Sequence, residues 1–317
     1  MRRFSNLDSV AIGAGFWRWQ RERRRLGLPH PPLEGYAAFA ERWSMKPDFT
    51  LGSPSRSRQN CVWWLGHATV LLRIGDLHVI TDPHLSRRAS PLPFLGPRRH
   101  VPAPAHVHEL PKIDLVLISH NHYDHLDSAS IRTLLRRNPA TVFLAPLGLG
   151  DWLQRRGAAH VHELGWWQKH EHEAVEIHCV PAQHWSARGL FDRYQTLWCG
   201  WVLRSGAFSF YFSGDTGYTP RLADISMRLG PPDLAALPIG AYAPRWFMGP
   251  QHIDPPEAVR LHRELGVKHS LAIHWGTFEL ADDRLDEPVE SLQRVMAEQD
   301  LSPQDFWIFR QGEGHRL

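Results

Sequence analysis

The sequence predicts an α/β fold that follows an N-terminal extension. From Cys61 onward, apolar segments of strand length alternate with segments of helical spacing, and no short repeat or low-complexity segment interrupts them. Hydrophobic residues make up 43% of the 317 residues, which is enough for a sizeable core. An α/β chain of this length often forms one unit. We therefore expect one large α/β domain over residues 59–317 and an extension over residues 1–58.

The predicted elements follow from apolar runs bounded by turn residues. Residues 68–74 and 77–81 suggest a hairpin around Gly75-Asp76, a dipeptide type that favours tight turns. Residues 113–118 are almost entirely apolar, which is typical of a strand buried on both faces. Residues 128–137 have helical spacing, with Asp127 or Ser128 available as the N-cap. Further strands are predicted at 62–65, 174–180, 197–203, 207–212, 233–238 and 270–274, and further helices at 255–264 and 287–298.

The first 58 residues differ in character from the rest. Two tryptophans, a phenylalanine and an arginine form the run at 16–19, a basic cluster follows at 21–25, and prolines are frequent at 29–32. One interpretation is a helix and a connection that pack on the main domain. The alternative is peripheral contact with an anionic membrane, because interleaved aromatic and basic residues suit an interfacial helix.

Charge, cysteine content and hydropathy argue against several classes of protein. The 36 basic and 33 acidic side chains are too balanced to predict nucleic-acid binding. The three cysteines, Cys61, Cys179 and Cys199, form no CxxC pair and fit a reducing compartment. There is no convincing secretory signal and no apolar run of about 18 residues. We therefore expect a cytoplasmic protein, with peripheral membrane contact left open. The sequence indicates no oligomeric state.

Three imidazoles and a carboxylate lie within six residues after the strand predicted at 113–118. They are His120, His122, Asp124 and His125. Alternate residues that leave a strand point the same way, so His120 and His122 can converge on one ion. Asp124 and His125, at the turn into the next helix, can face a second ion. Because burying these groups without partners would be costly, chance histidines in a polar loop explain the pattern poorly.

Three further polar residues directly follow apolar strands: His184, Asp215 and His274. Singly each is ambiguous, since Asp215 lies between glycines and could serve a tight turn. Together with the first motif they complete two ligand sets. We assign His120, His122 and His184 to one zinc ion, Asp124, His125 and His274 to a second, and Asp215 as a bridge between both.

The expected cofactor is therefore a pair of zinc ions, although the ligand types also leave iron and manganese open. Two ions about 3.5–4 Å apart can hold a bridging hydroxide as the nucleophile. Asp124 and Asp215 are then the catalytic carboxylates, and no serine or cysteine nucleophile is needed. Serine catalysis also lacks its GxSxG motif.

The ligand motifs and their surroundings match the pattern of a known family. The matching segments are residues 64–70, 81–83, 88–91, 118–127, 214–218, 238–242, 244–248, 251–252, 254–255 and 272–278. There the sequence resembles the metallo-β-lactamase superfamily, and within it the N-acylphosphatidylethanolamine-hydrolysing phospholipases D. The resemblance covers about residue 60 to the C-terminus. It implies a four-layer αβ/βα sandwich with the seven ligands at one edge, where the two halves meet. It also matches Asp82 to a residue that steadies the ligands, and a turn-forming Asp before Pro83 is an equal alternative.

The resemblance further implies a reaction on a phospholipid. N-acylphosphatidylethanolamine would be hydrolysed to N-acylethanolamine and phosphatidic acid by attack of the metal-bridging hydroxide on phosphorus. Tyr123 and His252 are expected to contact the phosphate or the leaving group, and each could instead be a buried, hydrogen-bonded side chain. Four aromatic residues near the motifs could line an acyl-chain groove or pack in the core: Trp185, Trp246, Phe247 and Trp275.

Two alternatives to the phospholipase hypothesis remain. The first is a cytosolic zinc hydrolase of another phosphodiester or of a lactone, which would turn over substrate without detergent or vesicles. The second is a non-enzymatic relative, which would be expected to have lost ligands, whereas all seven are present.

Overall fold

Two seven-stranded sheets form the centre of the computed structural model, which describes residues 3–52 and 59–317. The strands are β1 (Cys61–Trp64), β2 (Val70–Ile74), β3 (Leu77–Thr81), β4 (Leu115–Leu117), β5 (Val142–Pro146), β6 (His160–Leu164), β7 (Lys169–His172), β8 (Val175–Val180), β9 (Gly200–Ser205), β10 (Phe208–Phe212), β11 (Leu234–Pro238), β12 (His269–Ile273), β13 (Phe306–Trp307) and β14 (Gly314–Arg316). The first sheet has the order β14-β1-β2-β3-β4-β5-β6, and the second has the order β13-β12-β11-β10-β9-β8-β7.

Helices cover both outer faces of this pair of sheets. They are α1 (Phe16–Leu26), α2 (Gly35–Arg42), α3 (Ser128–Arg137), α4 (Gly150–Gln154), α5 (Asp224–Leu229), α6 (Arg245–Met248), α7 (Pro255–Glu264) and α8 (Glu287–Glu298). Within the described ranges, none of them combines the length and the apolar character needed to cross a bilayer.

The alternation of side chains along β1 shows how the layers form. Cys61 and Trp63 pack in one cluster with the apolar residues of α3 and α4, while Val62 and Trp64 pack in a second cluster. That second cluster also contains the apolar residues of the second sheet and of α7 and α8. Since successive side chains of a strand point to opposite faces, the first sheet is buried on both sides. The predicted four-layer αβ/βα sandwich is confirmed.

Most of the predicted elements are present. β2 and β3 form the expected antiparallel hairpin, with Ile74 opposite Leu77. Asp127 is the N-cap of α3, since its carboxylate accepts hydrogen bonds from the backbone N–H of Ala129 at 3.0 Å and of Ser130 at 3.1 Å. The sequence analysis did not predict β5, β6, β7, β13 and β14. Because β6 and β7 carry polar, largely exposed side chains and β13 and β14 are very short, neither pair has the apolar pattern of a strand.

The N-terminal segment packs on the main domain through aromatic side chains. Trp19 of α1 is 6% exposed, stacks on Phe247 at 4.6 Å between ring centroids, and donates from Nε1 to Asp282 at 2.9 Å. Phe39 of α2 is fully buried in the central core. Trp17 lies on the same helix as Trp19 but is 82% exposed. The predicted domain boundary lies after residue 58. Because residues 53–58 are outside the described residues, this boundary stays a prediction.

The two neighbouring tryptophans of α1 allow a matched test of this packing. We expect Trp19→Ala to lower the free energy of unfolding by about 3 kcal/mol, because a buried ring and its hydrogen bond are lost. Trp17→Ala should change it by less than about 0.5 kcal/mol, since that ring is exposed. Urea denaturation followed by circular dichroism measures both values. Equal effects of the two substitutions would contradict the packing described for α1.

Candidate metal centre

Four strand ends bring the seven predicted ligands together. His120 and His122 follow β4 in the first sheet, and His184, Asp215 and His274 follow β8, β10 and β12 in the second. The loop after β4 is tied directly to the second sheet, since the backbone N–H of Cys199 donates to the carbonyl of Ser119 at 3.0 Å. The cluster therefore lies where the edges of the two sheets meet.

Three imidazole nitrogens converge in the first predicted set. His120 Nε2 lies 2.8 Å from His122 Nδ1, and His122 Nδ1 lies 3.3 Å from His184 Nε2. Nitrogens that bind one zinc ion tetrahedrally, at about 2.0–2.1 Å from the metal, are about 3.3 Å apart. The spacing of these three nitrogens is therefore close to that of ligands to a single ion.

The second set gathers around the Asp124 carboxylate. Asp124 Oδ2 lies 3.3 Å from His125 Nε2 and 3.5 Å from His274 Nε2. A residue that the sequence analysis did not assign, His67, lies closer still, with its Nε2 at 2.9 Å from the same oxygen. His67 sits between β1 and β2, within the segment 64–70 that carries the family resemblance. The predicted strand at 62–65 also ends just before Gly66 and His67, so the strand-end pattern that selected His184 was a signal for His67 as well.

Asp215 lies between the two sets. Its Oδ2 is 3.1 Å from His125 Nε2 and 3.7 Å from His184 Nε2, while its Oδ1 is 3.1 Å from His274 Nε2. A tight-turn role alone does not require this burial, since Asp215 is 4% exposed. A carboxylate within reach of both nitrogen sets has the geometry of a bridging ligand.

Several buried atoms of the cluster form no hydrogen bond within the described residues, although the nitrogens and carboxylate oxygens approach one another to 3.1 Å. Among them are His125 Nε2, His274 Nε2 and Asp215 Oδ1. Buried polar atoms in folded proteins are nearly always paired, so these atoms need a partner from outside the chain. A donor set of imidazole nitrogens and carboxylate oxygens fits a divalent ion such as zinc. The residues present thus fit a site for a divalent metal ion.

The first set is ready to bind a cation at neutral pH. Burial lowers the pKa of His184 to about 4. Burial and the neighbouring His184 together lower the pKa of His122 to about 3. Both rings are therefore neutral near pH 7, and the neutral imidazole is the form that binds metals.

The second set is a buried network of opposite charges. Burial acts to lower the pKa of His274, but the carboxylates of Asp215 and Asp124 outweigh it and raise the pKa to about 9. Burial acts to raise the pKa of Asp215, but His125 and His274 hold it well below its usual range. Both carboxylates are ionised at pH 7, as ligands must be. A metal that binds here displaces protons from the imidazoles.

Hydrogen bonds of the Nδ1 atoms, on the side away from the cluster centre, fix the orientation of two rings. His125 Nδ1 donates to Asp82 Oδ2 at 2.7 Å, and Asp82 Oδ1 accepts from the backbone N–H of Ser119 at 2.7 Å. His184 Nδ1 donates to the carbonyl of Gln251 at 2.9 Å. In both rings the N–H points outward and Nε2 is left for the centre of the cluster. Asp82 thus occupies the steadying position that the resemblance implied.

Backbone conformation is strained at three of these residues. Asp82, His67 and His274 have φ angles of 32°, 50° and 60°, in the left-handed region that side chains rarely adopt. Such strain persists only where surrounding contacts fix it, and it concentrates at functional sites. Gly214 also has a positive φ of 59°, and an added Cβ would lie 2.7 Å from the Cβ of Ser119. Only glycine lets the loop after β10 approach the loop after β4 so closely.

The N-terminal segment reaches this centre through one amide. Asn6 Oδ1 accepts from the backbone N–H of His184 at 3.0 Å and from Trp198 Nε1 at 2.9 Å. Asn6 Nδ2 donates to the carbonyl of His184 at 2.8 Å. The sequence analysis gave residue 6 no role, because nothing in its neighbourhood along the chain points to a contact 178 residues away. The extension therefore helps to hold a predicted ligand in place.

The two predicted phosphate contacts have different surroundings. His252 is 7% exposed, and its Nδ1 lies 4.0 Å from Asp215 Oδ2 without a hydrogen-bond partner in the described part of the chain. Tyr123 donates from its hydroxyl to the carbonyl of Arg188 at 2.9 Å, and the Arg188 guanidinium lies 4.0 Å from its ring centroid. The structure thus brings His252 to the cluster and turns the Tyr123 hydroxyl toward Arg188. The contacts of both residues with a phosphate stay predictions.

The four aromatic residues near the motifs divide between core and site. Trp275 stacks on Trp64 at 5.0 Å and is buried, and Phe247 packs under α1. Trp246 is 42% exposed. Trp185 contacts a predicted ligand directly, with its ring 4.5 Å from that of His122. Trp185 is therefore the strongest of the four candidates for contact with a substrate.

The bridging position of Asp215 can be tested by substitution. We expect Asp215→Asn to reduce metal affinity by more than about 100-fold, beyond the loss typical of residues that only orient ligands. Activity should fall with the metal content, because the amide removes a negative charge from both sets. Elemental analysis of the purified variant measures the bound metal, with Asp76→Asn, at an exposed turn, as the control. Full metal content in Asp215→Asn would rule out the bridge.

Comparisons with known proteins identify the family of the chain. Residues 78–275 match the family model described as a beta-lactamase superfamily domain. The chain is 40% identical over 262 residues to N-acyl-phosphatidylethanolamine-hydrolyzing phospholipase D 1 of Caenorhabditis elegans, covering 79% of this chain and 74% of that protein. It is 36% identical to the mitochondrial enzyme of that name from Saccharomyces cerevisiae, covering 73% of this chain and 51% of that protein.

Solved structures show the same fold. Igni18, a metallo hydrolase from the archaeon Ignicoccus hospitalis, superimposes with a TM-score of 0.63 at 21% identity, covering 82% of this chain and 98% of that chain. The protein described here therefore belongs to the metallo-β-lactamase superfamily, and it is a metal-dependent hydrolase related to the N-acylphosphatidylethanolamine-hydrolysing phospholipases D.

Proposed function

We propose that this chain is a dinuclear zinc phosphodiesterase that hydrolyses N-acylphosphatidylethanolamine to N-acylethanolamine and phosphatidic acid. The observation that carries the proposal is the 40% identity to the Caenorhabditis elegans enzyme over 79% of the chain. The cluster of imidazoles and carboxylates supports the proposal. Its donor set suits zinc, and a pair of zinc ions suits the hydrolysis of a phosphodiester.

Seven side chains would hold the metals, in the assignment that the sequence predicted. The first ion would be held by His120, His122 and His184, the second by Asp124, His125 and His274, and Asp215 would lie between them. His67, which lies against Asp124, is positioned to orient that carboxylate. When bound, the two metal ions supply an activated water and positive charge that stabilises the phosphate oxygens.

The chain's own carboxylates prepare the site for the metal cations. Asp124 and Asp215 stay ionised, since the neighbouring histidines hold both pKa values well below their usual range despite burial. Hydrolysis joins a water oxygen to phosphorus and breaks the bond between phosphorus and the ethanolamine oxygen, which takes up a proton from that water. A hydrogen-bond donor near the leaving group would stabilise the negative charge that develops on this oxygen.

His252 is the donor that we assign to this place. Burial lowers its pKa well below the usual value, so the ring is neutral at pH 7 and carries one N–H. Its Nδ1 is unpaired within the described ranges and faces the Asp215 carboxylate at 4.0 Å. A neutral ring at this position can donate a hydrogen bond to an oxygen of the phosphate or of the leaving group without adding a buried charge.

The products of the reaction test the substrate. Incubating the metal-loaded protein with N-acylphosphatidylethanolamine in mixed micelles should yield N-acylethanolamine and phosphatidic acid in equal amounts, as measured by mass spectrometry. A chelator should abolish both products, because the cluster loses its ions. If the lipid is untouched while the same preparation hydrolyses a generic phosphodiester or a lactone, the substrate assignment is wrong and the metal centre stands.

The role of His252 is tested separately from that of the ligands. We expect His252→Ala to lower kcat by about 100-fold or more, which is typical for the loss of one donor to a developing charge. The bound metal should be unchanged, because His252 is not among the seven assigned ligands. His160→Ala, at an exposed position, serves as the control. Loss of metal from His252→Ala would instead make this residue a ligand.

A further inference from the structure

We propose that an arginine-lined cavity beside the metal centre binds the phosphate of an anionic phospholipid in a bilayer, while two apolar loops at its rim enter the membrane surface. The cavity has a volume of about 720 Å³. Its walls come from the loop after β3, the first turn of α3, the helix α4 region and the loop after β8. This site goes beyond the proposed reaction, since none of the seven assigned ligands lines it.

Five arginines line this cavity: Arg87, Arg88, Arg132, Arg156 and Arg188. Within the described residues, none of the five forms an ion pair with a carboxylate. The one acidic residue of the lining, Asp127, is engaged by the backbone N–H groups at the start of α3. A concentration of unpaired positive charge in a concave surface attracts anions.

Two of the five arginines are held in place by aromatic rings. The guanidinium of Arg156 lies 3.4 Å from the ring centroid of Trp152, and that of Arg188 lies 4.9 Å from the same ring. Arg156 also donates from Nε to the hydroxyl of Ser128 at 3.0 Å, and Arg188 donates to the carbonyl of Asn121 at 2.9 Å. Arginines that are already ordered lose little entropy when they bind a phosphate.

Two exposed apolar pairs flank the cavity. Leu190 and Phe191 follow Arg188 closely and are 92% and 86% exposed. Phe94 and Leu95, in the loop that also supplies the lining residue Leu92, are 74% and 62% exposed. Single exposed apolar residues are common, but pairs on two loops around one basic cavity mark an interaction surface. Apolar tips combined with arginines suit the interface of an anionic membrane rather than a free anion.

The position of the cavity gives this surface a consequence for the enzyme. Tyr123 lines the cavity and stands between the predicted ligands His122 and Asp124, and Arg188 binds the backbone of the same loop. Because none of the seven assigned ligands lines the cavity, a lipid phosphate held by the arginines lies beside the metal centre and not at it. It anchors the bilayer next to the metal centre, where a neighbouring lipid can enter.

Binding to vesicles tests the proposal without requiring turnover. We expect the full chain to sediment with phosphatidylcholine vesicles that contain phosphatidylglycerol, and much less with phosphatidylcholine alone. The double variant Arg87→Glu, Arg132→Glu should bind at least about thirtyfold more weakly, since each arginine near an anionic surface contributes separately. The double variant Arg136→Glu, Arg294→Glu changes two exposed arginines outside the cavity lining, so it is the control matched in net charge and should lose far less.

A variant and a control test the role of the apolar loops. Leu190→Asp with Phe191→Asp should reduce vesicle binding at least about tenfold, while Met227→Asp, at another exposed apolar position, should not. Unchanged metal content and urea midpoint in each variant show that it is folded. The proposal is overturned if the arginine variant binds vesicles like the wild type, or if only Trp17→Asp on α1 abolishes binding. It is also overturned if millimolar inorganic phosphate displaces the vesicles completely, since the cavity would then bind a soluble anion.

Discussion

The structure depends on burying a cluster of ionisable side chains where two sheets meet. His120, His125, His184, Asp215 and His274 are each less than 5% exposed, yet several of their atoms have no partner among the described residues. An apolar fold tolerates such a cluster only if each ring is held from behind and the inward atoms share a cation. The surrounding bonds from Asp82, Gln251 and Asn6 meet the first of these requirements.

The same cluster joins elements that are distant in the chain. The loop after β4 carries four of the predicted ligands, and it is bonded to the second sheet through Ser119 and through the indole of Trp201, which donates to the carbonyl of Ile118 at 2.9 Å. Asn6 adds the N-terminal segment to this junction. Since a ligand shift of a fraction of an ångström weakens metal binding, the junction of the sheets and the chemistry of the site constrain each other.

The metal centre and the arginine cavity would attract a phosphate group in different ways. At the centre, buried carboxylates and imidazoles leave a place for strongly bound positive charge. In the cavity, the arginines stay charged at the surface, where apolar loop tips lie beside them. In the function that we propose, the phosphate that reacts binds at the first arrangement and the phosphate that anchors the bilayer binds at the second. Together they offer a route by which an enzyme without a membrane-crossing helix in its described residues could reach a lipid.

The sequence by itself determined the strand-end pattern of the site. Each predicted ligand comes directly after an apolar run, so local alternation and the His-x-His-x-Asp-His spacing were enough to select the side chains that the structure brings together. The sandwich followed from the family resemblance that those motifs carry. Only the tertiary structure decided the places of His67, Asn6 and the arginine cavity. Their partners lie up to 178 residues away in the chain, and such contacts arise from the packing of whole sheets, which leaves no periodic signal in the residues themselves.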